Sequence, residues 1–202
     1  MKIFCIGRNY SDHAKEMNSP VPERPMVFMK PPTALLINDS PLYYPAFTKN
    51  LHYEIEVVLR ICKNGRHVEK KFVSNYYEEL GLGIDFTARD LQAACKKNGH
   101  PWEIAKGFDG SACVSKFIPR DKYNANKLSF SLSKNGEIVQ TGNTKDLIFD
   151  YDTLIIYISK FFRLQIGDLI YTGTPAGVGP VEIGDVLVGH IEGEKILECE
   201  IK

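Results

Sequence analysis

The run His52-Tyr-Glu-Ile-Glu-Val-Val-Leu-Arg-Ile61 places two glutamates, Glu54 and Glu56, one residue apart in an otherwise apolar stretch. Its β-branched and aromatic composition is typical of a strand, and side chains two residues apart on a strand point to the same face. The two carboxylates are therefore held close together, where they repel each other. A shared proton or a divalent cation would relieve that repulsion. Alternatively, the strand is exposed and its glutamates face water.

A third acid, Asp85, lies near the end of a second apolar run, Gly81-Leu-Gly-Ile-Asp-Phe86. Enough chain separates it from Glu56 for the second run to return on a neighbouring strand. Three monodentate carboxylates suit Mg²⁺ or Mn²⁺ and leave coordination positions open for water and substrate. The working hypothesis is therefore a metal site formed by Glu54, Glu56 and Asp85.

The composition is that of an ordinary globular protein. The chain has 202 residues, of which 44% are hydrophobic and 25% are charged, and this predicts a single domain over residues 1–202. Its 25 basic residues balance its 25 acidic residues. We therefore expect neither nucleic acid nor an anionic membrane surface as a partner.

Cysteine usage and hydropathy indicate the compartment. Five cysteines are scattered along the chain without a Cys-x-x-Cys motif. This pattern argues against a disulfide framework and against a thiolate zinc site. No apolar run reaches the length of a signal-peptide core or a membrane span. We expect a cytoplasmic protein.

Many short strands and few helices are predicted. Residues 1–50 are rich in proline and should form short strands and loops, with one short helix at about 11–17 capped by Ser11. The turn signals Asn64-Gly65 and Asn135-Gly136 each predict a hairpin. We expect strands at 53–61, 68–73, 82–86, 128–134, 137–140, 168–172, 185–191 and 195–201, and further helices at 87–98 and 149–162. Without a β-α-β-α alternation, this pattern favours an α+β, mostly-β fold over a doubly wound nucleotide-binding sheet.

Two further groups could carry chemistry. His13 and Glu16 lie at positions i and i+3 of the first helix, where a carboxylate would orient an imidazole for general base catalysis. The alternative is an incidental pair on a solvated helix face. Lys106 lies among apolar residues and could bind a substrate carboxylate or stabilise an enolate, although a surface lysine is the commoner outcome.

A glycine-rich segment, Tyr171-Thr-Gly-Thr-Pro-Ala-Gly-Val-Gly179, follows a predicted strand. Such a loop can present backbone N–H groups to an anion. It lacks the Gly-Lys-Ser/Thr ending of a phosphate-binding loop, so nucleotide binding is not expected. A tight turn without a ligand is the alternative.

Five motifs occur together and span almost the whole chain. In order, they are Ile6-Gly-Arg-Asn-Tyr-Ser-Asp-His-Ala-Lys-Glu16, Tyr53-Glu-Ile-Glu56, Gly83-Ile-Asp-Phe-Thr-Ala-Arg-Asp90, Trp102-Glu-Ile-Ala-Lys-Gly-Phe-Asp109 and Gly167-Asp-Leu-Ile-Tyr-Thr-Gly-Thr-Pro-Ala-Gly-Val-Gly179. The combination closely resembles the fumarylacetoacetate hydrolase family, in particular its compact single-domain acylpyruvate hydrolase and oxaloacetate decarboxylase members. The resemblance implies a β-roll-like, mostly-β domain with few short helices, usually assembled as a homodimer.

The resemblance also assigns roles to residues of this chain. It implies that Glu54, Glu56 and Asp85 hold Mg²⁺ or Mn²⁺. It implies that His13 and Glu16 lie on a lid helix and activate a water molecule, and that Lys106 meets a substrate oxygen near the metal. The positions that it implies for substrate binding are Arg8, Arg89, Gln92, Gly173 and Thr174.

The activity that follows from this resemblance is hydrolysis of acylpyruvates, which are 2,4-dioxo acids. Cleavage of the C3–C4 bond through a metal-bound enolate would give pyruvate and a carboxylic acid. The same site could instead decarboxylate oxaloacetate, or isomerise or tautomerise a hydroxy-dienedioate. A non-catalytic metal-binding protein of the same family is the further alternative. In each enzymatic case the expected partner is a small oxo-acid substrate.

Overall fold

The strand predicted from the opening run lies at the centre of the largest sheet. The computed structural model describes residues 1–17, 20–36 and 40–202. Its strands are β1 (Ile3–Gly7), β2 (Met26–Lys30), β3 (Leu35–Leu36), β4 (Leu51–Tyr53), β5 (Ile55–Ile61), β6 (Tyr77–Asp85), β7 (Thr87–Ala88), β8 (Ala112–Val114), β9 (Ile118–Pro119), β10 (Ser129–Lys134), β11 (Glu137–Asn143), β12 (Leu169–Tyr171), β13 (Gly179–Pro180), β14 (Val186–Ile191) and β15 (Glu194–Glu200). Its α-helices are α1 (Ser11–Glu16), α2 (Arg89–Asn98), α3 (Glu103–Lys106) and α4 (Tyr151–Phe161).

The strands form three sheets in the described part of the chain. The largest has the order β2-β1-β12-β5-β6-β8-β3, with β9 also paired to β6. A four-stranded sheet has the order β11-β10-β14-β15, and a small sheet joins β13, β4 and β7. This is the mostly-β architecture with few helices that the sequence predicted.

The hydrophobic core lies between the large sheet and the four-stranded sheet. Leu82 of β6 and Leu197 of β15 both belong to it, and Gly189 of β14 lies directly against Leu82. The helix α4 contributes Leu154, Ile155 and Ile158 to the same core. Because β5 is buried on both faces, its sequence is a nearly continuous apolar run.

Two of the predicted helices have sharply defined ends. Asp150 caps α4 by accepting a hydrogen bond from the Thr153 amide at 2.8 Å. Gly99 ends α2 in the left-handed region, at a φ of 67°. The first helix also forms, but the prediction of Ser11 as its N-cap is wrong. The buried Tyr10 holds the cap position, and the helix begins at Ser11 with no side chain as a cap.

One of the two predicted hairpin turns is confirmed. Asn135 and Gly136 have φ values of 53° and 87°, and they join β10 to β11. The hairpin at Asn64-Gly65 and the strand at 68–73 are wrong, because β5 pairs instead with β6. Gly65 packs against the Tyr76 ring and pairs with Leu164, and a 3-10 helix at Lys70–Asn75 spans the gap.

The predicted strand at 53–61 is two strands. It breaks at Glu54, so that β4 joins the small sheet and β5 joins the large one. Glu54 therefore lies at the junction of two sheets rather than within a regular strand. No helix in the described residues is long and apolar enough to cross a membrane.

Candidate active site

Three buried carboxylates meet where β5 begins and β6 ends. One oxygen from each of Glu54, Glu56 and Asp85 lies within 4.8 Å of the other two. The antiparallel register pairs Glu56 with Gly83, and the Asp85 amide donates to the Glu54 carbonyl at 2.8 Å. All three side chains are buried, so the alternative of an exposed strand facing water is wrong.

Three cations pair with two of these acids, Glu54 and Asp85. The Nζ of Lys106 lies 2.8 Å from Oε2 of Glu54 and 2.7 Å from Oδ2 of Asp85. The Nη2 of Arg89 lies 2.6 Å from Oε1 of Glu54, and the Nζ of Lys30 lies 2.7 Å from Oδ1 of Asp85. Because Lys106 is buried, its alternative as a surface lysine is also wrong.

Burial and neighbouring charges set the ionisation of this cluster. Although burial opposes it, the charges of Lys106 and Arg89 hold the pKa of Glu54 well below its ordinary value. Burial likewise favours a neutral Lys106, but the charges of Asp85 and Glu54 raise its pKa to about 12. Both groups are therefore ionised near neutral pH.

Glu56 is the exception, because burial and then the charge of Asp85 raise its pKa well above the ordinary value. The Gly173 amide donates to its Oε2 at 2.6 Å, and no lysine or arginine of the described residues forms an ion pair with it. A divalent ion among the three carboxylates would supply the missing positive charge. These oxygen donors are of the kind that Mg²⁺ and Mn²⁺ prefer, so the residues fit such an ion.

The helix α1 places His13 against the same pocket. His13 is buried, and its Nδ1 lies 3.2 Å from Oε2 of Glu16. The Gly177 amide donates to Oε1 of Glu16 at 3.1 Å, and this bond joins the helix to the glycine-rich loop. His13 lines the pocket together with the three acids. The structure thus brings together all six residues predicted as metal ligands or catalytic groups.

The predicted substrate-binding residues are placed differently from one another. Arg8, Arg89, Gln92 and Thr174 line the pocket. Arg89 also donates to Oε1 of Gln92 at 2.8 Å, so these two side chains hold each other in place. Gly173 is not among the lining residues, and its amide donates to Oε2 of Glu56 at 2.6 Å. Its role as a substrate contact stays a prediction, and the contact that the structure shows is the one to Glu56.

Sequence reasoning missed three residues that support the site. Lys30 is fully buried and donates to the carbonyls of Lys106 and Ser111 as well as contacting Asp85. Gln140 accepts from the Ile55 amide and donates to Oγ1 of Thr174, both at 3.0 Å. Asn9, which lies just after β1, forms hydrogen bonds with the backbone of Phe149 and Thr172. The signal available for Lys30 is a lysine that ends the apolar run Met26-Val-Phe-Met29; neither amide carries a local signal.

Comparison with known proteins agrees with this geometry. The family model described as fumarylacetoacetate (FAA) hydrolase C-terminal matches residues 2–202. The mitochondrial oxaloacetate tautomerase of Bos taurus is 44% identical over 201 residues, which are 99% of this chain and 91% of that protein. The mitochondrial oxaloacetate decarboxylase of Dictyostelium discoideum is 41% identical over 194 residues, 95% of this chain and 89% of that protein.

A solved structure shares the fold along the whole chain. The fumarylpyruvate hydrolase from Pseudomonas aeruginosa, crystallised with Mn²⁺ and pyruvate, has a TM-score of 0.93 and 37% sequence identity. The similarity covers 100% of this chain and 89% of that one. The family model and the identities together show that this chain belongs to the fumarylacetoacetate hydrolase family of metal-dependent enzymes.

Proposed function

We propose that this protein is a Mg²⁺- or Mn²⁺-dependent enzyme that interconverts the keto and enol forms of oxaloacetate. One observation carries the proposal. The buried carboxylates Glu54, Glu56 and Asp85 share a pocket with the His13–Glu16 pair and with Lys106. The tautomerase and decarboxylase activities named for relatives at 41–44% identity support oxaloacetate as the substrate.

The proposed chemistry divides between the metal and the side chains. An ion held by Glu54, Glu56 and Asp85 would act as a Lewis acid toward the oxygen atoms of a 2-oxo acid. Lys106 stays charged because its pKa is about 12, and it can donate to the 2-oxygen as negative charge develops there. The Phe28 ring, whose centroid is 5.3 Å from Nζ of Lys106, shields this contact from water.

His13 is the proposed base. Its imidazole would remove a proton from C3 of the keto form, and the resulting imidazolium would give up a proton as the 2-oxygen gains one, so that the enol forms with no net change in protons. Glu16 holds the ring through Nδ1, so Nε2 is the nitrogen available to the substrate. His13 of α1 and the following Met17 line the pocket, so a lid role of this helix would exclude bulk water from the charged intermediate.

A second candidate is hydrolysis of acylpyruvates at the C3–C4 bond. The observation that favours it is the same His13–Glu16 pair, because a carboxylate-oriented imidazole can equally deprotonate a water molecule that attacks C4. The similarity to a fumarylpyruvate hydrolase supports it. Decarboxylation of oxaloacetate and isomerisation of a hydroxy-dienedioate need no attacking water, and both belong to the same group of candidates.

A substrate panel separates these activities. The protein would be incubated with Mg²⁺ or Mn²⁺ and oxaloacetate, acetylpyruvate, fumarylpyruvate or a hydroxy-dienedioate. Loss of enol absorbance without pyruvate indicates tautomerisation, pyruvate with CO₂ indicates decarboxylation, and pyruvate with a carboxylic acid indicates hydrolysis. Metal and buffer alone measure the spontaneous reaction. We expect His13→Ala to lower the enzymatic rate by about 10²- to 10⁴-fold. Full activity in EDTA, or equal rates with and without protein, would contradict the proposal.

We also propose a homodimer. Tyr43 and Ile183 are each 72% exposed, and both lie beside the backbone of the C-terminal residues 201–202. Large exposed apolar side chains near the same chain segment favour a subunit contact. Light scattering at several concentrations tests this proposal, and a monomeric mass throughout would contradict it. The cytoplasmic location stays a prediction, because relatives named as mitochondrial exist.

A further inference from the structure

Two cations in the pocket have no carboxylate partner. Among the charged residues that line it, Lys106 and Arg89 are paired with acids, and the buried Lys30, which does not line it, pairs with Asp85. Arg8 and Lys96 also line the pocket, and neither forms an ion pair with any described residue. Their two positive charges are therefore available to an anionic ligand.

The backbone fixes Arg8 at this position. Its φ is 59°, a left-handed conformation that is unfavourable for a residue with a side chain. The next residue, Asn9, is fully buried and holds this conformation through three hydrogen bonds. Its Nδ2 donates to the carbonyls of Phe149 at 2.9 Å and Thr172 at 2.8 Å, and its Oδ1 accepts from the Phe149 amide at 2.8 Å.

Lys96 lines the pocket beside an aromatic ring. Its Nζ lies 5.5 Å from the centroid of the Trp102 ring, which packs edge-on against Phe28 at 6.1 Å. The Phe28 ring is also in contact with Lys106. One wall of the pocket thus runs from the lysine at the carboxylate cluster, across two rings, to a second lysine. The pKa of Lys96 is lowered first by burial and then by the positive charge of Arg8, which indicates that the two cations share one region.

We propose that Arg8 and Lys96 form a second anion subsite, which binds a carboxylate at the end of the substrate remote from its 2-oxo acid group. This inference rests on the proposed function and deepens it, because it names Lys96 as a residue that selects diacids over monoacids. A 2-oxo diacid would place one carboxylate at the metal site and the other between these two cations. The aromatic wall would contact the carbon chain between them.

Paired substrates and variants test the subsite. Lys96→Met keeps an apolar side chain on Trp102 but removes the charge. We expect it to lower kcat/KM for oxaloacetate about tenfold more than for acetylpyruvate, chiefly through KM. Lys97→Met is the matched control, because Lys97 is exposed on the same helix and does not line the pocket. Equal losses for the two substrates in Lys96→Met would overturn the proposal.

A binding measurement makes this test independent of turnover. Calorimetry with Mg²⁺ would compare 2-oxoglutarate with 2-oxovalerate, which differ by the distal carboxylate. We expect the wild-type protein to prefer the diacid, and we expect Lys96→Met and Arg8→Gln to reduce that preference about tenfold each. A wild-type protein without the preference, or variants that retain it, would overturn the subsite. If the preference is present but oxaloacetate is not turned over, the subsite stands and the proposed function is wrong.

Discussion

The amide of Gly177 donates to Oε1 of Glu16 at 3.1 Å, although the two residues are 161 positions apart in sequence. The other oxygen of the same carboxylate lies 3.2 Å from Nδ1 of His13. A helix as short as α1 is not stable alone in water. The position of the imidazole therefore depends on the glycine-rich loop. The Glu16 carboxylate links His13, near the start of the chain, to Gly177, near its end.

Glu16→Gln should lower kcat about 10- to 100-fold, because the amide keeps an acceptor for the Gly177 amide but loses the charge that orients the imidazole. The measurement is the steady-state rate on oxaloacetate. Asp12→Asn is the control, since Asp12 lies on the same helix, is exposed and forms an ion pair with Lys15. Equal losses in the two variants would show that the helix, rather than the Glu16 carboxylate, is what matters.

Glu56→Gln should abolish stabilisation by Mn²⁺ without destabilising the metal-free protein. The amide oxygen can still accept from the Gly173 amide, while the buried carboxyl group, whose pKa is raised by burial and by the charge of Asp85, is replaced by a neutral amide. Thermal unfolding in EDTA and in excess Mn²⁺ measures both effects. Glu79→Gln, at a partly exposed glutamate that pairs with Arg60, should keep the shift caused by Mn²⁺. A normal Mn²⁺ shift in Glu56→Gln would contradict its role as a ligand.

Metal affinity should rise with pH. The pKa of Glu56 is raised above its ordinary value of 4.5, so the folded metal-free protein keeps a proton there that the unfolded chain has already released. Metal must displace that proton, and the apparent Kd for Mn²⁺ should fall as pH increases through the folded-state pKa. By the same linkage, the metal-free protein should lose stability as pH rises above about 4.5. Calorimetric titrations at several pH values test this, and Glu56→Gln should remove its contribution to the slope.

Lys30→Met should destabilise the metal-free protein by about 3–5 kcal/mol, because it leaves part of the buried charge of Asp85 without a partner. Urea unfolding measures the change. The double variant Lys30→Met/Asp85→Asn should recover part of the loss. Lys71→Met removes an exposed ion pair with Glu69 and should change stability by less than about 1 kcal/mol. A similarly small effect for Lys30→Met would contradict the structural role assigned to this lysine.

Gly173→Ala should impair metal binding as well as stability. The residue has a φ of 109°, and an added Cβ would lie 2.6 Å from Cβ of Asn9. The displacement would move the amide that donates to Glu56. Gly193→Ala is a matched control, since Gly193 also has a positive φ of 83° but has open space around it. We expect both variants to lose stability, by about 1–3 kcal/mol each, and only Gly173→Ala to lose Mn²⁺ affinity. Equal Mn²⁺ affinities would contradict this account.

Local chemistry explains which elements the sequence predicted. Asn135-Gly136 forms its hairpin because both residues tolerate a positive φ and the flanking strands pair at once. Asn64-Gly65 carries the same signal but fails, because Tyr76 and Leu164 contact Gly65 from distant parts of the chain. A turn signal of two residues cannot report such contacts. The break at Glu54 was missed for the same reason, since it marks where the chain passes from one sheet to another.

The family, the mostly-β fold and the acids, histidine and lysine of the candidate site were predictable from the amino-acid sequence, because they depend on residue types and on spacings within short motifs. The pairing of the charges was not predictable in this way and became visible in the folded chain. Lys30 reaches Asp85 from β2, Lys106 bridges two acids from α3, and Gly173 supports Glu56 from the glycine-rich loop. Each of these contacts joins segments that are distant in sequence, and its existence depends on strand register and packing rather than on any local pattern.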